Sequence, residues 1–131
     1  MDTNNSKIIY PFADEIYKIS GVSMSILNEL GHGFSEKIYE NALVYELNST
    51  GFKTAQQKSF DVIYKEQILG RYIPDLIINN EIIIELKTIN RITDHDIGQV
   101  MNYLKVTGLT MGVILNFKHA KLEWKRVILS K

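Results

Sequence analysis

The sequence lacks cysteine, contains only two prolines and one tryptophan, and has no long apolar run. Without cysteine, the chain has no disulfide, no thiol nucleophile and no cysteine-ligated metal site. No apolar stretch approaches the roughly 18 residues that a membrane-spanning helix needs. The N-terminal segment MDTNNSKIIY also lacks a signal-peptide pattern. We therefore expect a cytoplasmic protein that has no membrane partner.

Length and composition predict one ordinary globular domain over residues 1–131. Hydrophobic residues make up 45% of the chain and charged residues 23%, which is typical of a soluble protein and excludes a disordered class. A chain of this length buries enough surface for a normal core.

Charge is balanced in total but not along the chain. Fifteen basic and fifteen acidic residues give a net charge of zero, which argues against tight nucleic-acid binding by bulk electrostatics alone. Residues 1–86 contain seven Lys and Arg against twelve Asp and Glu, whereas residues 87–131 contain eight against three. A polyanion would therefore prefer the second half, unless a metal ion recruits it to the first.

The spacing of apolar residues predicts the element order ααβββαββ. Helices are expected over residues 11–30, with an apolar stripe that includes Leu30, and 35–48, with Ile38 and Leu43 facing inward. Gly21 inside the first helix suggests close packing at that point. Three consecutive antiparallel strands are expected over 53–64, 68–78 and 81–88, then a helix capped by Asp94 and two strands over 111–116 and 122–129.

Residues 71–89, RYIPDLIINNEIIIELKTI, place Asp75, Glu85 and Lys87 inside an otherwise apolar hairpin. The β-branched runs at 76–78 and 82–84 predict two strands joined by a tight turn. A three-residue loop pairs Ile78 with Ile82, sets Asp75 directly opposite Glu85 and brings Lys87 to the same face. A two-residue loop would place the two acids on opposite faces.

Two carboxylates opposite each other among isoleucines are costly to keep ionised unless a cation lies between them. Directly paired Cβ atoms lie about 4.5–5.5 Å apart, so both acids can reach one Mg²⁺. Hard oxygen ligands select Mg²⁺ or Mn²⁺ over zinc. The alternative is that Glu-x-Lys belongs to a solvated strand face. The flanking isoleucine runs, typical of strands covered by helices on both faces, favour the buried site.

Four motifs in order resemble the GxxExxY proteins of the PD-(D/E)xK nuclease superfamily. They are GFSEKIY at 33–39, Pro-Asp at 74–75, Glu-Leu-Lys at 85–87 and QVMNY at 99–103, and the similarity extends from about residue 12 to residue 129. The resemblance implies an α/β, restriction-endonuclease-like core with a mixed sheet of about five strands flanked by helices. It also implies metal-dependent cleavage of a phosphodiester.

The resemblance also implies roles for particular residues. Asp75 and Glu85 are the implied metal ligands, together with the backbone carbonyl of Leu86, and Lys87 is the residue that orients the attacking water. Glu36 is a further ligand or a water-mediated contact. An acid in the first turn of a helix also complements the helix dipole, which is the alternative explanation for Glu36.

Substrate contacts are expected from a second set of residues. Gln99 and Tyr103, one turn apart on a predicted helix, match the QxxxY pair of exonuclease-like branches. The resemblance implies that Gln99 is a catalytic residue that reaches the site, whereas Tyr103 braces it or contacts the substrate. A polar residue followed one turn later by a core tyrosine is also a common pattern. Tyr39 ends the GxxExxY motif and is otherwise a core aromatic. The candidate phosphate contacts, each otherwise an ordinary surface charge, are Arg71, Arg91, Lys105 and Lys118. The chain departs from the family pattern at His32, where the pattern has Pro, and at Asp96, where it often has His.

These residues predict a Mg²⁺- or Mn²⁺-dependent nuclease that hydrolyses nucleic acid, with DNA as the expected substrate. A homodimer or an accessory protein partner is compatible with the sequence. One alternative is a catalytically silent module of the same fold that binds or regulates within a complex. A third hypothesis is a metal-free α/β protein in which Asp75, Glu85 and Lys87 form a buried ion-pair network.

Overall fold

The computed structural model describes residues 10–129. The two ends of the predicted domain span 1–131, and most of the N-terminal segment MDTNNSKIIY, lie outside the described residues. The helices are α1 (Ala13–Leu30), α2 (Glu36–Ser49) and α3 (Asp94–Thr107). The strands are β1 (Thr54–Ala55), β2 (Phe60–Tyr64), β3 (Gln67–Tyr72), β4 (Leu76–Ile78), β5 (Ile82–Lys87), β6 (Met111–Asn116) and β7 (Glu123–Ile128). None of the helices in the described range combines the length and hydropathy of a membrane span.

A five-stranded mixed sheet in the order β1-β4-β5-β6-β7 forms the centre of the protein. Strands β5 and β6 are parallel, because α3 connects them as a crossover, and the other neighbours are antiparallel. Alternate residues of β5 pack on opposite sides: Ile82 and Ile84 join the core under α1 and α2, and Ile83 joins the core under α3. The predicted mixed sheet flanked by helices is confirmed.

The prediction of three consecutive antiparallel strands over residues 53–88 is wrong, because this part of the chain forms five strands in two sheets. Strands β2 and β3 pair with each other as a separate two-stranded hairpin, and β1 and β4 join the main sheet. The second predicted strand is interrupted around Pro74, because proline has no N–H to donate and is tolerated only where ladder pairing stops. The first is interrupted at residues 56–59, where Gln57 adopts a φ of 64°.

Three details of the helices also differ from the prediction. Ile38 and Leu30 are exposed, at 44% and 41%, because α1 and α2 bury narrower stripes than the apolar pattern indicates. The N-cap of α3 is Thr93, not Asp94, since Thr93 and Asp96 form a reciprocal capping box. Gly21 is not a close-packing site, because a Cβ placed there meets no atom within 4 Å.

The close approach between α3 and the sheet lies at Gly112 in β6. A Cβ at this glycine would come within 2.7 Å of Val100 Cγ1. Valine is stiff about its first side-chain torsion and Val100 is fully buried, so it has little room to move away. Gly112 therefore sets how closely α3 covers the sheet.

We predict that Gly112→Ala lowers the free energy of unfolding by about 1–3 kcal/mol, since it overpacks the core under α3. The matched change Gly21→Ala should raise it by about 0.5–1 kcal/mol, because alanine favours a helix and meets no neighbour. Urea denaturation of both variants checks the pair. Equal stability of Gly112→Ala and the wild type would contradict the packing described here.

Candidate active site

The turn between β4 and β5 sets the register of the hairpin that carries the acids. Asn79 and Asn80 adopt φ values of 54° and 58°, and the Glu81 amide donates to the Ile78 carbonyl at 2.9 Å. Ile78 is the partner of Ile82, and the pairing continues in register to Leu76 and Ile84. The three-residue loop is confirmed, and the two-residue alternative is wrong.

Backbone amides hold the side chains of both Asp75 and Glu85. The Asp75 amide donates to Glu85 Oε2 at 3.2 Å, and the Leu86 amide donates to Asp75 Oδ2 at 2.9 Å. The hydroxyl of Tyr72 donates to the same Glu85 Oε2 at 2.9 Å. The two carboxylates therefore lie side by side at the edge of the sheet, in fixed orientations.

Burial and mutual repulsion make this pair hard to ionise. Burial, and then the charge of Asp75, raise the pKa of Glu85 from 4.5 to about 7, although the bonds from Tyr72 and Asp75 and the charge of Lys87 act against this. Burial also raises the pKa of Asp75, and the negative charges of Glu40 and Glu36 add to the effect. Two adjacent hard-oxygen donors that resist joint ionisation fit a divalent cation.

Lys87 is half-buried at the end of β5, and its charge lowers the pKa of both Asp75 and Glu85. Within residues 10–129 it nevertheless forms no ion pair with either acid. Lys87 therefore acts on Asp75 and Glu85 through its charge, without direct polar contact. The three side chains do not form a buried ion-pair network in the described residues.

Tyr72, which is hydrogen-bonded to Glu85, stacks on Tyr103 of α3. The rings of Tyr72 and Tyr103 lie 3.9 Å apart, centroid to centroid, at 14°. Burial, and then the charge of Glu85, raise the pKa of Tyr103, and the same two causes raise the pKa of Tyr72 further. The sequence does not predict Tyr72 at this site, because residues 72 and 75 of a continuous strand point to opposite faces. The break at Pro74 brings the two side chains to the same place.

Glu36 lies at the first position of α2 and is bound to the chain that follows β5. Its Oε2 accepts hydrogen bonds from the Thr88 amide at 3.1 Å and the Thr88 hydroxyl at 3.3 Å. Among residues 10–129, no three His, Cys, Asp or Glu side chains converge as a metal-binding group. The negative charge of Glu36 raises the pKa of Asp75, and direct ligation of a cation by Glu36 stays a prediction.

A second helix acid, Glu40, was missed. It is buried, pairs with Lys37 at 3.1 Å and accepts a hydrogen bond from Gln56, and its charge raises the pKa of Asp75. The signal was present in the sequence, since Glu40 follows Glu36 by four residues and so shares its helix face.

The substrate-binding role predicted for Tyr39 does not fit its position. The side chain is fully buried, and its ring stacks on Phe117 with centroids 4.6 Å apart. Its hydroxyl donates to the Gly31 carbonyl at 2.7 Å and accepts from the Phe34 amide at 3.2 Å. Tyr39 therefore fixes the loop that leads into Glu36, which is the core-aromatic alternative.

The remaining predicted residues form no polar contact with the acid pair in the described part of the chain. Gln99 is half-buried on α3, and Arg71 lies 3.7 Å from Asp61, from Nε to Oδ1. In the part of the chain that the structure describes, no hydrogen bond or ion pair joins the acids to the residues of this group, Gln99, Arg71, Arg91, Lys105 and Lys118. Asp96, where the family pattern often has His, belongs to the capping box of α3.

A buried amide organises the loop that follows Lys87. Asn116 Oδ1 accepts from the Ile89 amide at 3.0 Å, and its Nδ2 donates to the Ile89 carbonyl at 2.8 Å and to Glu123 Oε1 at 2.9 Å. Glu123 also accepts from the Ile92 amide at 3.0 Å. This network fixes residues 89–92. No sequence signal predicted it, because Ile89 lies 27 residues from Asn116 and Ile92 lies 31 residues from Glu123.

Comparisons with known proteins agree with this architecture. A family model described as the PD-(D/E)XK nuclease superfamily matches residues 13–127. The crystal structure of an alkaline exonuclease from Laribacter hongkongensis is similar with a TM-score of 0.54 and 13% identity, over 93% of this chain and 73% of that chain. No curated protein matches. The structural likeness shows the fold, which confirms the restriction-endonuclease-like core, and the narrower GxxExxY assignment stays a prediction.

In metal-free protein, we predict that stability falls as the pH rises. Because the pKa of Glu85 is raised to about 7, its contribution is complete below its ordinary pKa of 4.5 and is lost as the pH rises through 7. The loss is roughly 3 kcal/mol. Urea denaturation in EDTA at about pH 5 and about pH 8 measures it, and Glu85→Gln should lose much less. Identical losses in the two proteins would contradict the assignment to Glu85.

Proposed function

The chain belongs to the PD-(D/E)XK nuclease superfamily, and from this premise we propose that it hydrolyses nucleic-acid phosphodiesters, with DNA as its substrate and a divalent cation as its cofactor. The observation that carries the proposal is the acid pair, in which Asp75 and Glu85 are bonded to each other's strands and both have raised pKa values. A structural ion pair would instead bring an acid together with a base.

Asp75 and Glu85 would hold the cation, with the backbone carbonyl of Leu86. Asp75 Oδ2 and Glu85 Oε2 already accept protein hydrogen bonds, so the other oxygen of each carboxylate is the proposed ligand. Bound Mg²⁺ or Mn²⁺ would supply Lewis-acid stabilisation of the phosphate and lower the pKa of water. Carboxylate oxygens favour these two ions over softer metals.

Lys87 would orient the attacking water and offset negative charge that develops on the phosphate. Its position two residues after Glu85 on the same strand brings its ammonium to the same face, and its partial burial strengthens its field. Glu36 would adjust the electrostatics of the site from the far side, because Thr88 ties it to the chain just after Lys87. Gln99 would reach the catalytic site from α3, and Tyr103 would brace it or contact the substrate strand.

Phosphates away from the scissile bond would meet basic residues around the site. Arg71, Arg91, Lys105 and Lys118 are all exposed and remain our candidates for these contacts. Removing any one of them would lower the affinity for nucleic acid modestly. It would also reduce the dependence of that affinity on salt concentration by about one counterion.

A nuclease-fold module without turnover, acting in a complex with an accessory partner, is the second candidate function. Two observations favour it. Glu36 is hydrogen-bonded to Thr88, and no group of three metal-binding side chains forms within residues 10–129. Calorimetric titration with Mn²⁺ separates the two candidates: the nuclease binds the ion at Asp75 and Glu85, whereas a silent site has no reason to do so.

We predict that Asp75→Ala and Lys87→Met abolish divalent-dependent cleavage of DNA and leave the fold intact. Loss of one electrostatic contact to the transition state typically costs about 100-fold or more in rate. Cleavage of labelled duplex DNA with Mg²⁺, with Mn²⁺ and in EDTA measures the effect, and circular dichroism checks the fold.

The control for Lys87→Met is Lys18→Met, which removes an exposed lysine from α1. It should cleave at the wild-type rate. Cleavage by Lys87→Met at that same rate would remove the lysine from the mechanism, and an RNA duplex of the same sequence cut as fast as DNA would remove the preference for DNA.

A further inference from the structure

Within residues 10–129, Tyr72 is the one side chain outside the predicted motifs that forms a hydrogen bond to the acid pair. Its hydroxyl donates to Glu85 Oε2 at 2.9 Å, and the Asp75 amide donates to the same oxygen at 3.2 Å. Two donors from different directions on one oxygen fix both the position and the plane of a carboxylate. In the described part of the chain, no hydrogen bond involves Glu85 Oε1, so this oxygen is the one left for a ligand.

The Tyr72 hydroxyl is itself held in place. The ring stacks on Tyr103 of α3 at 3.9 Å and 14°, so the position of the hydroxyl oxygen is set by a helix that packs on the sheet. Tyr72 thus has the fixed position that an outer partner of a metal ligand requires.

Tyr72 reaches the acid pair from the end of β3, of which it is the last residue. Three apolar side chains elsewhere in the hairpin, Ile63, Ile68 and Leu69, are instead about two-thirds exposed, at 64–65%. A hydroxyl on Tyr64, also in this hairpin, has no hydrogen bond to the site in the described residues, and its side chain is exposed. The hairpin therefore offers a tyrosine that contacts the site and a tyrosine that does not.

We propose that Tyr72 is a positioning residue for Glu85, which it orients so that Oε1 faces the cation and the scissile phosphate. The inference rests on the proposed nuclease function and deepens it. Glu85 would be held ready before the cation arrives, and the cation would not have to pull the carboxylate into place. Without the phenol, the carboxylate keeps only the Asp75 amide and can rotate about its last torsion.

Tyr72→Phe tests the proposal, because it removes the hydroxyl and keeps the ring and its stack. Loss of an outer-shell partner typically reduces metal affinity or activity 10–100-fold. We expect Mn²⁺ affinity, measured by calorimetry without substrate, to fall by about 10-fold or more. We also expect kcat to fall while KM for DNA stays within about twofold, because Tyr72 acts through Glu85 and not on the bulk of the substrate.

Tyr64→Phe is the matched control, since it removes an exposed hydroxyl from the same hairpin, and it should change neither Mn²⁺ affinity nor kcat. Urea denaturation of both variants reports any loss of folding stability separately. A Tyr72→Phe protein with reduced stability but wild-type Mn²⁺ affinity would show a purely structural tyrosine and overturn the inference. Wild-type values in every measurement would overturn it as well.

The titration also distinguishes this inference from the proposed function. If the wild-type protein takes up no Mn²⁺, the nuclease proposal fails and the role of Tyr72 fails with it. If the wild type binds Mn²⁺ and cleaves DNA, but Tyr72→Phe does both equally well, only the inference about Tyr72 is overturned.

Discussion

Two carboxyl groups held side by side on isoleucine-rich strands are the constraint on which the site depends. Asp75 and Glu85 lie together because the loop at residues 79–81 sets one register, and a shift by a single residue would separate them. The backbone amides of Asp75 and Leu86 then hold each carboxylate from the opposite strand. The sheet, and the helices that bury it on both faces, maintain a pair that would otherwise separate in water.

The charges around this pair are mainly negative. Two further acids, Glu36 and Glu40, add negative potential at Asp75, and Lys87 is the base that acts against it. A site with more acids than bases attracts a cation and repels a nucleic-acid backbone until that cation is present.

The sequence alone was sufficient where local chemistry decides structure. The asparagine turn and the isoleucine runs predicted the register of β4 and β5, and the apolar run at 111–116 predicted β6 at its observed bounds. The functional roles of Asp75, Glu85 and Lys87 stay predictions, although the structure brings the two acids into one hydrogen-bonded unit.

The missed features depend on contacts between distant parts of the chain. The break at Pro74 turned one predicted strand into two, and it was this break that carried Tyr72 to Glu85. Glu40 had a readable helix spacing, whereas Asn116 and Glu123 act through partners that only the folded sheet brings near. Alternation along a strand cannot anticipate a side chain that reaches the site from a second sheet.

The separate hairpin has a consequence for how this architecture can vary. Strands β2 and β3 pair only with each other, and the two residues at their tip, Lys65 and Glu66, both adopt positive φ values, 48° and 66°, as in a tight two-residue turn. Extra residues inserted at that tip would lengthen the arm without shifting any pairing in the five-stranded sheet. The tip is thus a place where evolution, or a protein engineer, can graft new recognition elements while the chemistry beneath stays as it is.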